Sequence, residues 1–424
     1  MQQGFDVVII GAGPAGSSAA ILLARAGWSV ALVEKQRFPR RKVCGECVAA
    51  SNLPLLDALG IGRAFADAAG APLRRMALMH AGEQVVADLP AAMDAAHPWG
   101  RALGREVLDS LLLDQARRSG AVIFQPWLVQ AIEGGPGDWQ LQLRKAETSE
   151  SCSLEARVAI AAHGSWEALP SERDEARAMR RPSDLLAFKA NFRHARLDQG
   201  LLPVLALEGG YGGMVVGDDG ITTLACCIRR DRLDAARRER PGLAAGEVVE
   251  RWLRRQCLGV DAALSSAQRE GAWLASGPLR PGVRLAASDR LLRIGNAAGE
   301  AHPIVGEGMS MALQSAWLLC ARLLAAGSAT EAASADRHAR IAAGYAADWR
   351  HHFRQRLFIA ASFAQAASRP ASARLLMTIA QRLPALLTVG ARWSSKDRSA
   401  IDAASIRRMT PTAAWHDRPT TTPS

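Results

Sequence analysis

The chain opens on an apolar run, Phe5 to Ile10, broken only by Asp6, of the kind a buried parallel strand requires. Gly11-Ala12-Gly13-Pro14-Ala15-Gly16 follows at once. Apolar positions then recur with helical spacing from Ser17 to Ala26, and Gly27 ends the helix. A second apolar run, Val30 to Val33, ends in Glu34. These segments predict a β-α-β unit of about the ~30 residues that the motif needs.

Further along, Val107 to Arg118 has helical spacing and Ala121 to Phe124 reads as a strand. The period then changes. Leu186 to Arg196, Val204 to Leu207, Tyr211 to Val216 and Ile221 to Ile228 read as strands, with Gly217-Asp218-Asp219-Gly220 as a hairpin turn. This block predicts an antiparallel sheet inserted as a second lobe. Leu291 to Ile294 gives one more short strand, followed by a glycine-rich loop and a helix from about Gly308 to Leu324. The rest reads as helical to roughly Arg392, interrupted at Pro370 and Pro384. No internal repeats occur.

The expected organisation is therefore α/β in five parts. Residues 1–180 and 276–330 form two parts of a dinucleotide-binding domain, and 181–275 form the inserted antiparallel substrate sheet. Residues 331–409 form C-terminal helices, and the Thr/Pro-rich tail 410–424 is expected to be unstructured.

At 424 residues the chain is long enough for two lobes, and 49% apolar with 22% charged residues excludes a disordered or fibrous class. The formal charge of +11 is carried mostly by arginine and is scattered, with no nucleic-acid module signature. It points to phosphate-bearing cofactors, with peripheral contact to an anionic membrane face as a second candidate. Seven cysteines, including the adjacent Cys226 and Cys227, read as reduced thiols rather than a disulfide framework. The N-terminus lacks a signal-peptide pattern, and no apolar run reaches the ~20 residues that cross a bilayer. A cytoplasmic protein, with membrane association as a candidate, is the expectation.

The glycine turn carries the first chemistry. Gly11 permits the tight turn, Gly13 lets the backbone approach a pyrophosphate, and Gly16 lets helix and strand pack closely. The helix N-terminus beside Ala12 and Ala15 offers free N–H groups and a partial positive charge to a diphosphate. Glu34, 18 positions beyond Gly16, is placed to accept hydrogen bonds from an adenosine ribose and would repel a 2′-phosphate.

Gly295-Asn296-Ala297-Ala298-Gly299, His302-Pro303 and Gly306-Glu307-Gly308 resemble the second FAD fingerprint of the flavoprotein monooxygenase and geranylgeranyl reductase superfamily. The resemblance implies a glutathione-reductase-like FAD-binding Rossmann domain, with Asn296 on the ribityl chain. The helix from Gly308 would then point at the pyrimidine end of the isoalloxazine. Arg105 with Leu108-Asp109 resembles the family's arginine-plus-helix element that contacts the cofactor, and Val129 matches a position whose backbone meets the adenine. The implied FAD contacts are thus Gly11, Ala12, Gly13, Ala15, Gly16, Glu34, Lys35, Arg105, Val129, Asn296, Pro303, Gly306 and Gly308. Two positions depart from the pattern: Asn296 where Asp is usual, and Ala162-His163-Gly164-Ser165 where hydroxylases have Gly-Ala-Asp-Gly. The second weakens the expectation of NADH or NADPH as electron donor.

Arg41-Lys42-Val43-Cys44-Gly45-Glu46 resembles the Cys-Gly-Glu loop of the geranylgeranyl reductase branch, which lies near the flavin. This makes Cys44, Glu46 and His302 substrate-side candidates, with no acid or base assigned. Cys44 and Cys47 could form a redox pair, but no second dinucleotide fingerprint accompanies them, and packed thiols are favoured. Zinc is not expected, because further ligands at suitable spacing are missing. Halogenases resemble this fold too, but Gly210 to Val215 lacks their Trp-x-Trp-x-Ile-Pro segment, which argues against halogenation.

The expected activity is FAD-dependent oxidation or hydroxylation of a hydrophobic small molecule. Double-bond reduction and a non-catalytic flavin-binding electron carrier are the alternatives. Lys189, alone in an apolar strand, is expected on the solvent side of its sheet rather than facing substrate. The basic, apolar C-terminal helices are expected to pack on the flavin lobe, in preference to forming a lid or resting on lipid. Oligomeric state is left open.

Overall fold

The computed structural model describes residues 2–164, 169, 180–393 and 401–409. Two sheets organise it. In the first, β1 (Gln2–Ile10) lies between β2 (Val30–Val33) and strand Ser151–Ala161, parallel to both. Strand Val122–Phe124 extends the parallel run beside β2, and Leu292–Arg293 pairs in parallel with the end of Ser151–Ala161. An antiparallel meander, Trp127–Gly135 and Asp138–Lys145, completes the other edge. Val7 to Ile9 and all of β2 are buried, as strands covered on both faces must be. Helix α1 (Pro14–Arg25) packs over this sheet against helices Arg105–Arg118 and Gly308–Ala325.

Gly308–Ala325 is long and apolar enough to cross a bilayer, but Leu313, Trp317, Leu319 and Leu323 are wholly buried in the main core. An apolar helix of this kind is a core helix here.

The second sheet runs Gln268–Ser276, Leu185–Arg193, Thr222–Arg229, Gly210–Val216, Leu201–Leu207, Arg75–His80, Glu83–Asp88. Its central strands pair antiparallel, and the hairpin falls where the glycine-aspartate turn predicts. Two strands, Arg75–His80 and Glu83–Asp88, come from early in the chain, and Arg75–His80 joins Leu201–Leu207 in parallel. One face packs Phe188, Phe192, Leu224 and Ile228 under Val249, Trp252 and Leu253 of helix Ala245–Gln256. The other face carries Ala187, Tyr211 and Cys227 and meets the C-terminal helices.

Lys189 departs from its expected solvent position: it is 1% exposed. Strand Leu185–Arg193 is buried from Ala187 to Phe192, because both faces of the sheet are covered. At the C-terminus, helix Ala335–Ala367 lays Tyr345, Trp349 and Phe353 into the main core. Helices Pro370–Arg382 and Ala385–Trp393 then cross the second sheet over strands Arg75–His80 and Glu83–Asp88. The tail 410–424 and Ser165 lie outside the described residues.

Candidate functional site

One cavity of about 730 Å³ lies between the strand ends of the first sheet and a face of the second. Its floor is the glycine turn. Gly11 has a φ of +107°, and a Cβ there would lie 2.7 Å from the Ala162 carbonyl oxygen. A Cβ on Gly16 would lie 1.8 Å from the Gly11 oxygen, so α1 sits hard against the strand end. At Gly13 the nearest atom to such a Cβ is the Arg105 Nη2, at 3.7 Å, and the backbone is open to the cavity. Helix α1 starts at Pro14 with no acidic residue in its first turn, so its N–H groups and dipole are available to an anion.

Glu34 ends β2 and is 5% exposed. Its Oε2 accepts from the Ala12 N–H at 3.0 Å and its Oε1 from the Gln36 N–H at 2.9 Å. A carboxylate offers about four acceptor sites, so capacity for ribose hydroxyls remains. Beside it Arg40 bridges Glu34 at 3.5 Å and Asp109 at 3.4 Å and stacks on Phe38 at 4.5 Å. The Arg40 side chain is 9% exposed and its Nε has no hydrogen-bond partner among the described residues. A buried guanidinium with an unused donor on the cavity wall suits the oxygen atoms of a dinucleotide.

Arg105 forks onto Asp109 with two 2.7 Å bonds. Burial alone would lower it, but Asp109 and Cys44 outweigh that and hold Arg105 above its usual range.

The second fingerprint closes over the first. Gly295, at a φ of +59°, packs against Ala15 and donates its N–H to Ser315 Oγ at 2.9 Å. Helix Gly308–Ala325 begins at the cavity wall, and nothing lies within 4 Å of where a Gly308 Cβ would be. Glu307 in its cap is wholly buried and pairs with Arg356 at 3.4 Å. Arg356 also donates to Gln314 at 3.1 Å, and Gln314 donates to Asn52 at 2.8 Å.

Of the residues expected to touch FAD, Gly11, Gly13, Ala15, Glu34, Arg105, Asn296, Pro303, Gly306 and Gly308 line the cavity. Ala12, Gly16, Lys35 and Val129 do not: Ala12 and Gly16 act through the turn, and Val129 is buried in its meander. Among the substrate-side candidates, Cys44 and Glu46 line the cavity, as does Cys47, and neither cysteine is in a disulfide.

Glu46 is different. With a φ of +57° it turns its carboxylate inward, where it accepts from Lys189 Nζ, from the Arg105 N–H at 2.9 Å and from Thr223 Oγ1 at 2.5 Å. Two neighbouring strands of the second sheet and the start of helix Arg105–Arg118 meet on this one carboxylate, so Glu46 ties that helix to the second sheet beside the cofactor groove. No signal near Glu46 identifies this role; the solitary lysine in an apolar strand is the trace left by its partner. Arg40 and Arg356 were likewise not singled out as site residues by sequence reasoning.

Beyond the groove the cavity becomes apolar, walled by Met76, Leu78, Val204 and Met214 from the second sheet and by Phe363, Leu376 and Leu387 from the C-terminal helices. Tyr211 is the polar exception. Its hydroxyl meets His302 Nδ1 at 3.1 Å, and His302 itself lies behind the wall. Burial raises Tyr211 well above the usual phenol range, raises Cys227 to about 12 and lowers His302. At neutral pH these three groups are uncharged, as an apolar wall requires.

The FAD binding domain family matches residues 4–343. Among curated proteins the chain is similar to conditioned medium factor receptor 1 of Dictyostelium discoideum, at 27% identity over 342 residues, covering 76% of this chain and 64% of that protein. It is similar to tryptophan 2-halogenase of Chondromyces crocatus at 24% identity over 351 residues, covering 81% and 66%. The chain thus spans just under two thirds of the length of these relatives. Among solved structures, the myxobacterial chondrochloren halogenase superposes with a TM-score of 0.67 at 19% identity, covering 96% of each chain. A geranylgeranyl bacteriochlorophyll reductase-like protein from Thermoplasma acidophilum gives 0.70 at 15% identity, covering 98% of this chain and 97% of that one. At such identities these structures show a shared fold.

Proposed function

The chain belongs to the FAD binding domain family, and on that premise we propose that it is an FAD-dependent oxidoreductase that oxidises or hydroxylates a hydrophobic small molecule. The observation that carries this reading is the continuity of one cavity, from a dinucleotide cradle to an apolar chamber. When bound, FAD supplies the electron transfer and the oxygen chemistry.

The chain's own residues have four roles. The α1 N-terminus and Gly13 backbone receive the diphosphate, and Glu34 with Arg40 receives the adenosine end. Asn296 would hold the ribityl chain and the Gly306–Gly308 loop would meet the ring end, where the helix N-terminus favours negative charge. The chamber's Met, Leu and Phe side chains exclude water. The Tyr211 Oη, held by neutral His302, gives the apolar wall one fixed polar contact with which to orient a substrate oxygen.

The Cys44-Gly45-Glu46 loop and the shared fold with a reductase-like protein favour double-bond reduction as the second reading. Similarity to a halogenase adds a third outcome to test. The experiment is stopped-flow absorbance of the holoprotein: anaerobic reduction with NADH or NADPH, then mixing with oxygen. Reoxidation through a transient absorbing species supports the oxidising reading. Reduction only by a strong chemical donor, with slow single-step reoxidation, supports the reductase. Turnover with added bromide and mass analysis of products separates halogenation. Purified protein that cannot be loaded with FAD refutes the proposal.

A further inference from the structure

The outer rim of the apolar chamber meets solvent through large apolar side chains. Phe358 is 72% exposed and Leu386 46%, and both also line the cavity. Outside the wall, Leu375 is 60% exposed and Leu383 57%. Leu375 and Ile379 are four residues apart on helix Pro370–Arg382 and share one stripe, and Leu383 follows just past its end. Helix Ala335–Ala367 repeats the spacing with Arg350, Arg354 and Phe358. The opening of the chamber is therefore surrounded by exposed apolar residues on three successive helices.

The charge of the same helices is one-sided. From Trp349 to Arg392 there is no aspartate or glutamate. Arg356 is spent on Glu307, but Arg354, Arg369, Arg374, Arg382 and Arg392 are exposed. A second copy of this chain docked face to face would set these arginines against their own duplicates, with no acidic residue between Trp349 and Arg392 to answer them; Asp348, just before this stretch, already pairs with Arg322. An anionic lipid surface answers both features. Apolar side chains seat at the acyl boundary, and guanidinium groups fork onto phosphates above it.

We propose that the face formed by helices Ala335–Ala367, Pro370–Arg382 and Ala385–Trp393 docks on an anionic bilayer, so that the apolar chamber opens directly to lipid. A hydrophobic substrate then passes from the membrane to the chamber without crossing water. The substrate route rests on the function proposed above; the docking itself does not.

The test is sedimentation of the full-length holoprotein with phosphatidylglycerol vesicles or with phosphatidylcholine vesicles, scored by flavin absorbance in pellet and supernatant. The expected result is capture by phosphatidylglycerol and not by phosphatidylcholine. Arg374→Gln/Arg382→Gln should weaken capture by roughly fivefold per arginine. Leu375→Ser/Leu383→Ser leaves the net charge unchanged and alters neither cavity wall nor core, so its flavin spectrum and reduction rate serve as the control for the fold. It should still lose most of the capture. Unchanged capture by the leucine variant would mean diffuse attraction of a basic protein and would overturn the docking face. So would sedimentation equilibrium showing a dimer that the leucine variant abolishes. Loss of flavin before vesicles are added would instead count against the proposed function.

Discussion

Replacing Lys189 by methionine tests the junction between the second sheet and the loop that carries Glu46. The substitution keeps most of the stem's volume and removes the charge from a residue 1% exposed. Glu46 would keep the Arg105 N–H and the Thr223 hydroxyl but lose its counter-charge while only 5% exposed. Removing one partner of a buried pair costs about 3–5 kcal/mol. With an unfolding entropy of about 2.1 cal/mol/K per residue, 424 residues melting as one unit give about 0.9 kcal/mol/K. The melting temperature should then fall by about 3–6 °C. Removing the second charge as well, in Lys189→Met/Glu46→Gln, should recover part of the loss, with a coupling of about 0.5–3 kcal/mol. Circular dichroism melts of the parent, both single variants and the double variant measure this, with flavin absorbance followed in the same samples. Surface substitutions stay within about ±0.5 kcal/mol. A Lys189→Met melt within about 1 °C of the parent would therefore place the lysine in solvent and refute the junction.

Gly11→Ala forces a side chain into a left-handed turn and onto the Ala162 carbonyl. FAD affinity should drop by about tenfold or more, read by titrating apoprotein with FAD; unchanged affinity would mean the turn does not form the cradle. Arg356→Met strands the Glu307 carboxylate at a helix N-terminus, and the urea midpoint should fall by an amount equivalent to about 3–5 kcal/mol; a shift under about 0.5 kcal/mol would mean the pair is solvated. His338 donates its Nε2–H to the Arg290 carbonyl oxygen at 2.8 Å, and burial, outweighing that bond, lowers its pKa below the usual 6.5. Protons therefore bind the unfolded chain first, and His338 contributes stability above about pH 6.5 that is lost as pH falls toward its lower folded value. Melting temperature should decline from pH 7 to pH 5, and His338→Gln should flatten that decline; an equal slope in both proteins would contradict the burial.

What the sequence makes legible here is local. β1, the glycine turn, α1 and β2 follow from apolar runs and one turn chemistry, and the structure has each within a few residues of its predicted place. The hairpin at Gly217 to Gly220 is equally local. Arg75–His80 and Glu83–Asp88 were not anticipated, because two short strands are visible only through their sheet, and Arg75–His80 takes a parallel partner more than a hundred residues away. The Lys189–Glu46 pair spans 143 positions, so no spacing rule could reach it. The default for a lone lysine is solvent, and it fails where a sheet is covered on both faces.

The C-terminal helices show why the remaining choice could not be made from periodicity. An amphipathic stretch predicts that one face is buried, without saying against what. Here Tyr345, Trp349 and Phe353 of Ala335–Ala367 do pack on the flavin lobe, as expected. One turn further on, Arg356 neutralises Glu307 at the start of the helix that begins at the cavity wall. Two turns beyond that, Phe363 walls the chamber, and Leu376 and Leu387 of the next two helices continue the wall. Core packing and the chamber wall are thus supplied by consecutive segments of one helical run. The same arginine that balances Glu307 lies between the packed segment and the segment that walls the chamber. A change at Arg356 should therefore disturb the ring end of the cofactor site and the mouth of the chamber together.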